Sequence, residues 1–219
     1  MSAKELFFRR RIIVLPTWRA WLCFLAVGFG LLLGFVRTIH GFLELNAPVA
    51  ANVLVVEGWV ADYTVEAAVA EFKARPYERL VTAGGPMPSG ALVSGYATYA
   101  ALASAAVLKI GFANEKLIEA PTAKTYRHRT FESAKAVRAR LREVGIAPRG
   151  LNVVSEGSHA RRTRAVYRKV FGAEAKIGVI AVAPRDYDAE RWWASSEGVK
   201  ATLMETLAWL YELVFDSGR

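Results

Sequence analysis

The sequence predicts an α/β protein: a Rossmann-like, doubly wound and mainly parallel five-stranded sheet, preceded by one transmembrane helix. Three observations carry that expectation. Seventeen consecutive residues without a formal charge run from Ala20 to Val36, short apolar runs such as Val53 to Val56 read as buried strands, and these runs alternate with segments of helical period.

The membrane element comes first. Trp18 to Val36 reads WRAWLCFLAVGFGLLLGFV and Thr38 to Leu43 adds little polarity, so a helix over residues 18–43 suffices to cross a hydrocarbon core of roughly 30 Å. Lys4, Arg9, Arg10, Arg11 and Arg19 precede its apolar stretch against Glu5, whereas Arg37, His40 and Glu44 follow it. The positive-inside bias then predicts a cytoplasmic basic N-terminus over residues 1–17, a signal anchor over 18–43 in the inner (plasma) membrane, and an exported, periplasmic or extracellular, domain over 46–219. Val49-Ala50-Ala51 has the small residues of a signal-peptide processing site, but the apolar stretch exceeds the usual roughly 7–15 residues and ends well before Ala51, which fits a retained anchor better. Ala26, Gly30 and Gly34 recur at four-residue spacing, a helix face on which a second copy can approach closely, so homodimerization is one expected partnership.

Composition bounds the rest. The single cysteine, Cys23, lies inside the apolar helix, which leaves the exported domain without a disulfide framework and dependent on its core. Of the net charge of +9, a surplus of five belongs to residues 1–37, and the remainder is too mild to suggest nucleic-acid binding. About 170 residues beyond the anchor, without repeats or a Pro/Ser-rich linker, make one ordinary domain.

The elements then follow in order. Val53 to Val56 is the first strand, Asp62 caps a helix over Tyr63 to Lys73, and a second strand over Arg79 to Ala83 ends in Gly84-Gly85-Pro86. An Ala-rich helix is expected over Ser94 to Ile110, a strand over Lys116 to Glu119, a helix over Thr130 to Val144 and a strand over Leu151 to Ser155. A helix over Ser158 to Phe171, a strand over Ile177 to Val182 and a helix over Gly198 to Phe215 complete the alternation. Trp192-Trp193 and Trp209 read as core anchors or lids over the sheet edge.

Such sheets bind ligands at the carboxyl ends of their strands. Glu57-Gly58 follows the first strand, Gly84-Gly85 the second, Thr125 to Thr130 the third, and Ser155-Glu156-Gly157-Ser158-His159 the fourth. The glycines let the backbone approach a ligand, and the fourth connection opens a helix whose N-H groups attract anions. His159, Arg161, Arg162 and Arg164 crowd the first turns of that helix, and Arg127, His128 and Arg129 precede another, where the macrodipole disfavors cations. Such placement suggests a counter-anion. Gly58, Gly84, Gly85, Arg129, Thr130, Ser133, Ser155, Gly157, Arg161 and Arg162 are therefore candidate ligand-binding residues. Glu57, an acid after a buried strand, and His159 are the candidate acid and base, although a salt bridge from Glu57 to an arginine and a simple hydrogen-bonding role for His159 fit equally well. GxSxG, GxxxxGK[ST], HExxH and GxGxxG patterns are absent, no cofactor is indicated, and three scattered histidines with no exported cysteine argue against a zinc site.

These residues resemble the SanA/ElyC/YdcF family of bacterial envelope proteins over nearly all of Val53 to Phe215. The resemblance rests on Leu80 to Gly85, on Arg129-Thr130-Phe131-Glu132-Ser133-Ala134 at a helix start, and most specifically on the Ser155 to Arg162 segment with its His159-x-x-Arg162 spacing. Glu57-Gly58-Trp59 and Ser94-Gly95-Tyr96 depart from better-known members, which implies a divergent, membrane-anchored branch. The resemblance implies a Rossmann-like domain and a role in cell-envelope biogenesis or barrier function, in wall (peptidoglycan) or polysaccharide assembly. With the arginines, it leads to the expectation of a phosphate-bearing envelope ligand, a lipid-linked carrier or sugar phosphate, that is bound and hydrolyzed or transferred. The rivals are a non-enzymatic scaffold and, for a cytoplasmic domain, a nucleotide- or S-adenosylmethionine-like binding module.

Overall fold

The computed structural model describes residues 15–218, so Lys4, Glu5, Arg9, Arg10 and Arg11 of the basic N-terminus lie outside the described residues. The chain divides into two compact units, Met1–Thr38 and Ile39–Arg219.

The first unit is dominated by helix α1, Trp18–Leu43, whose mean hydropathy of 2.1 over its most apolar window makes it long and apolar enough to cross a membrane. None of that window is buried, and space is open around Gly30 and Gly34. The last turn of α1 belongs to the second unit, where Leu43 is fully buried and His40 Nε2 stands 3.0 Å from the Tyr187 hydroxyl.

The second unit is built on five parallel strands in the order β3-β2-β1-β4-β5: β1 (Val53–Glu57), β2 (Arg79–Gly84), β3 (Leu117–Pro121), β4 (Gly150–Glu156) and β5 (Lys176–Val182). The sheet is thus wholly parallel. Alternation along β1 sends Val53 and Val55 to one face and Leu54 and Val56 to the other, and both faces are covered, which is why the strand reads as a continuous apolar run. On the Val53 face pack α5 (Arg129–Glu143), through Ala134, Val137 and Leu141, and α6 (Ala160–Phe171), through Tyr167, Val170 and Phe171. On the Leu54 face pack α2 (Asp62–Ala74), through Val65, Ala68, Val69 and Phe72, and α4 (Tyr99–Lys109), through Val107. Each fully buried valine or leucine contributes about 1.5–3 kcal/mol relative to exposure, so the two faces of β1 alone anchor the fold.

Three helix starts differ from the sequence expectation by two residues or more. The Ala-rich helix begins at Tyr99, not Ser94, because Gly95 at φ 75° ends a one-turn helix α3 (Ala91–Ser94), and Thr98 Oγ1 then caps a new start by accepting from Ala101 N at 3.1 Å. A 3-10 turn, Gly157–His159, precedes α6. The final helix, α7 (Ser196–Phe215), starts two residues early because Ser195 Oγ accepts from Gly198 N at 3.1 Å.

The connection from α1 into the sheet is held by side chains. Asn152 on β4 accepts from Val49 N and donates to Val49 O, both at 2.9 Å, and Ala47 bridges to Val179 at the β5 edge. The Val49-Ala50-Ala51 segment is thereby tied to the sheet.

Candidate active site at the strand ends

Strands β2 and β4 lie on opposite sides of β1, so the sheet's topological switch falls between β1 and β4, where helices leave toward opposite faces. A cleft of about 910 Å³ opens there, lined by Glu57, the Gly84-Gly85 turn, the loop from Thr122 to His128, the start of α5, His159 and Arg162 at the start of α6, and one side of α7. The backbone comes close at its floor. Gly58 N donates to Ala83 O at 2.7 Å, and a Cβ on Gly58 would sit 2.2 Å from Tyr99 O, so no side chain fits between β1 and α4.

Glu57 ends β1 almost fully buried, and its Oε2 accepts hydrogen bonds from Ser155 Oγ at 2.7 Å and Thr163 Oγ1 at 3.2 Å. His159 Nε2 stands 3.7 Å from Glu57 Oε1, and the Trp59 ring meets the imidazole edge-on at 4.7 Å. On its other side His159 Nδ1 lies 2.7 Å from Glu205 Oε1 on α7. The same Nδ1 lies 2.9 Å from Arg162 Nη2, a donor, so a neutral ring either donates from Nδ1 to Glu205 or accepts there from Arg162; the first arrangement leaves the lone pair on Nε2, on the Glu57 side.

Glu205 is gripped twice by Arg162, whose Nε and Nη2 donate to Oε2 and Oε1 at 2.9 and 2.8 Å. Burial, the largest single influence, pushes the Glu205 carboxyl up, but His159 and Arg162 together outweigh it and hold the group at about 2. Burial likewise pulls the Arg162 guanidinium down, and the Glu205 hydrogen bonds more than restore it. Arg162 Nη1 also donates to Thr130 Oγ1 at 3.2 Å, joining this cluster to the start of α5.

That helix start is the positive end of the cleft. His128 precedes it with φ 51°, no side chain caps it, and Arg129, exposed on the cleft wall, has no acid within ion-pair distance among the described residues. Lys124 lines the same wall with its ammonium 5.2 Å from the Tyr126 ring centroid.

The fold therefore brings Glu57, Gly84, Gly85, Arg129, Thr130, Ser133, His159 and Arg162 around one cleft. Four other expected ligand-binding residues do not line it. Arg161 points its guanidinium at the end of α1, 3.8 Å from the Phe42 ring centroid, and donates to Phe42 O. Gly58 is closed off under Tyr99, Gly157 packs against Pro184 and Tyr187, and Ser155 is fully buried on Glu57. Arg164 donates to Ile177 O at 3.1 Å.

Sequence reasoning missed Glu205, Glu212 and Lys124, which also line the cleft. A signal for the two glutamates existed: they stand seven residues apart in an otherwise apolar stretch, hence on one side of a helix. Glu212 is engaged by Lys169 and by Ser217 Oγ, the latter donating at 2.8 Å. Among the described residues no group of three His, Cys, Asp or Glu side chains is arranged to hold a metal ion. Compared with family models and with curated proteins, the chain has no match.

Proposed function

We propose that the chain is a single-pass membrane protein whose α/β unit binds a phosphate-bearing ligand of the cell envelope, a lipid-linked carrier or a sugar phosphate, and carries out hydrolysis or transfer at phosphorus. The observation that carries this reading is the pairing, across one cleft, of an uncompensated cation at a helix start, Arg129, with a histidine oriented by a carboxylate, His159 on Glu205. The apolar helix α1 and the basic residues before it support membrane anchoring with the α/β unit exported. The resemblance to the SanA/ElyC/YdcF family supports the envelope setting.

The phosphate sits at Arg129 and the free N-H groups of α5, with Lys124 on the same wall and the Gly84-Gly85 turn leaving room for its approach. Thr130 Oγ1 already accepts from Arg162, so its own hydrogen is available to a phosphate oxygen, and Ser133 offers a second hydroxyl. His159 Nε2 takes the proton of the attacking water or hydroxyl and returns it to the leaving oxygen, while Glu205 fixes the ring and Glu57 stabilizes the imidazolium that forms. Arg162 is a positioning residue: its charge is spent on Glu205, which it holds in place for His159.

Purified full-length protein in nanodiscs, incubated with a polyprenyl diphosphate, is the test. Release of inorganic phosphate, lost on the order of 100-fold or more in His159→Gln with binding retained, is the expected outcome. Binding by the wild type with no product released would replace the enzyme by a scaffold.

A further inference from the structure

Helix α7 is turned the opposite way to an ordinary surface helix. Its acids Glu205 and Glu212 face the unit, where they meet Arg162 and Lys169. Its outer side carries Leu203, Leu207, Leu210 and Val214, spaced four, three and four residues apart and all exposed, 60% for Leu207 and 73% for Val214. Met204, Leu213 and Phe215 widen the stripe, and no charged side chain interrupts it from Leu203 to Phe215. A helix at a water-facing surface places these two classes the other way round, and an apolar surface of this length marks a contact.

The end of α1 indicates what covers it. Phe42, one residue before the buried Leu43, meets Trp209 of α7 edge-on with ring centroids 6.3 Å apart. The last turn of α1 thus touches α7 directly, and because the uncharged stretch of α1 ends at Val36, six residues earlier, a bilayer spanned by α1 has its boundary less than two helical turns from that contact. Arg161 over the Phe42 ring and Lys200, on the outer side of α7 near its start, supply cations where lipid headgroups would lie. Large aromatics and long basic side chains flanking an apolar stripe are the composition of an interfacial helix.

We propose that the outer face of α7 docks on the bilayer, with Leu203, Leu207, Leu210 and Val214 seated at the boundary of headgroups and acyl chains. The inner face of the same helix lines the cleft through Glu205 and Glu212, so one helix separates the ligand site from the lipid. That arrangement suits a ligand whose phosphate enters the cleft while its hydrocarbon tail stays in the membrane. The docking surface rests on the anchor reading and is independent of the ligand's identity.

The test uses the full chain, with Cys23→Ser and a single environment-sensitive fluorophore attached in turn to Leu31→Cys, Leu207→Cys, Leu210→Cys or Glu66→Cys, reconstituted in vesicles with and without brominated acyl chains. Leu31 reports on the anchor, Leu207 and Leu210 on the docked face, and Glu66 on α2 across the sheet. Several-fold stronger quenching by brominated lipid at Leu31, Leu207 and Leu210 than at Glu66 is expected. Quenching at Leu31 alone would overturn the docking surface while leaving the anchor intact, and no quenching at Leu31 would overturn the anchor and the docking with it. An unquenched Leu207 that instead cross-links to Leu207 of a second chain would assign the face to a homodimer.

Discussion

Arg162 and Glu205, 43 residues apart, are joined by two parallel hydrogen bonds of 2.9 and 2.8 Å that tie the first turn of α6 to the middle of α7. Both side chains are mostly buried, 17% exposed each, and His159 completes the group at 2.7 Å from the same carboxylate. The last helix of the chain is thereby fixed onto the helix that follows β4, and the histidine's orientation depends on it.

Removing either partner strands a buried charge. Arg162→Met and Glu205→Met should each cost about 3 kcal/mol in chemical denaturation, and the double replacement should cost less than either single change, because it removes both charges together. Equal or additive losses would mean that the two side chains act separately.

The same carboxylate gives the fold an acid limit. Its folded pKa of about 2 lies below the ordinary value of 4.5, so Glu205 contributes stability that is fully present above pH 4.5 and is lost as pH falls toward 2. Denaturation midpoints measured between pH 5 and 2 should fall more steeply for the wild type than for Glu205→Gln, by an amount on the order of 3 kcal/mol over that range. Parallel curves would remove Glu205 from the acid response.

Gly58 is required by proximity, not by conformation. Because an added Cβ would meet the Tyr99 carbonyl at 2.2 Å, and that oxygen is backbone, Gly58→Ala should destabilize by about 2–3 kcal/mol and displace α4 from the cleft floor. A thermal melt unchanged from wild type would contradict so close a contact.

Export is tested by reporter fusions after the last residue. A reporter active only outside the cytoplasm should be active, with the fusion staying in the membrane fraction after a salt wash. An active cytoplasmic reporter in its place would reverse the orientation and bring back a nucleotide-like ligand.

The strands were legible because parallel strands buried on both faces are apolar at most positions, as Val53 to Val56 are. The start of α4 was misplaced because Gly95 and Thr98 act through local geometry, a positive φ and a side-chain cap, that an Ala-rich run conceals. At the cleft, Glu57 and Gly84-Gly85 could be placed from the sequence, since strand ends carry Glu57 to the switch point and Gly84-Gly85 to the end of the adjoining strand. The arginines were not separable by sequence. Arg161 and Arg162 are neighbors, yet a turn of about 100° per residue sends one to Phe42 and the other to Glu205. Glu205 was missed because its role is set by packing between two helices, against a residue 43 positions away in the chain.

The proposed phosphate sits on Arg129 and the start of α5. Equilibrium binding of a polyprenyl phosphate in nanodiscs to full-length wild type, Arg129→Ala and Arg161→Ala tests this placement most directly. Arg129→Ala should bind about 10-fold or more weakly, the worth of a charge-assisted hydrogen bond, while Arg161→Ala, whose guanidinium is committed to Phe42, should bind like the wild type. Undiminished binding by a stably folded Arg129→Ala would contradict the phosphate site.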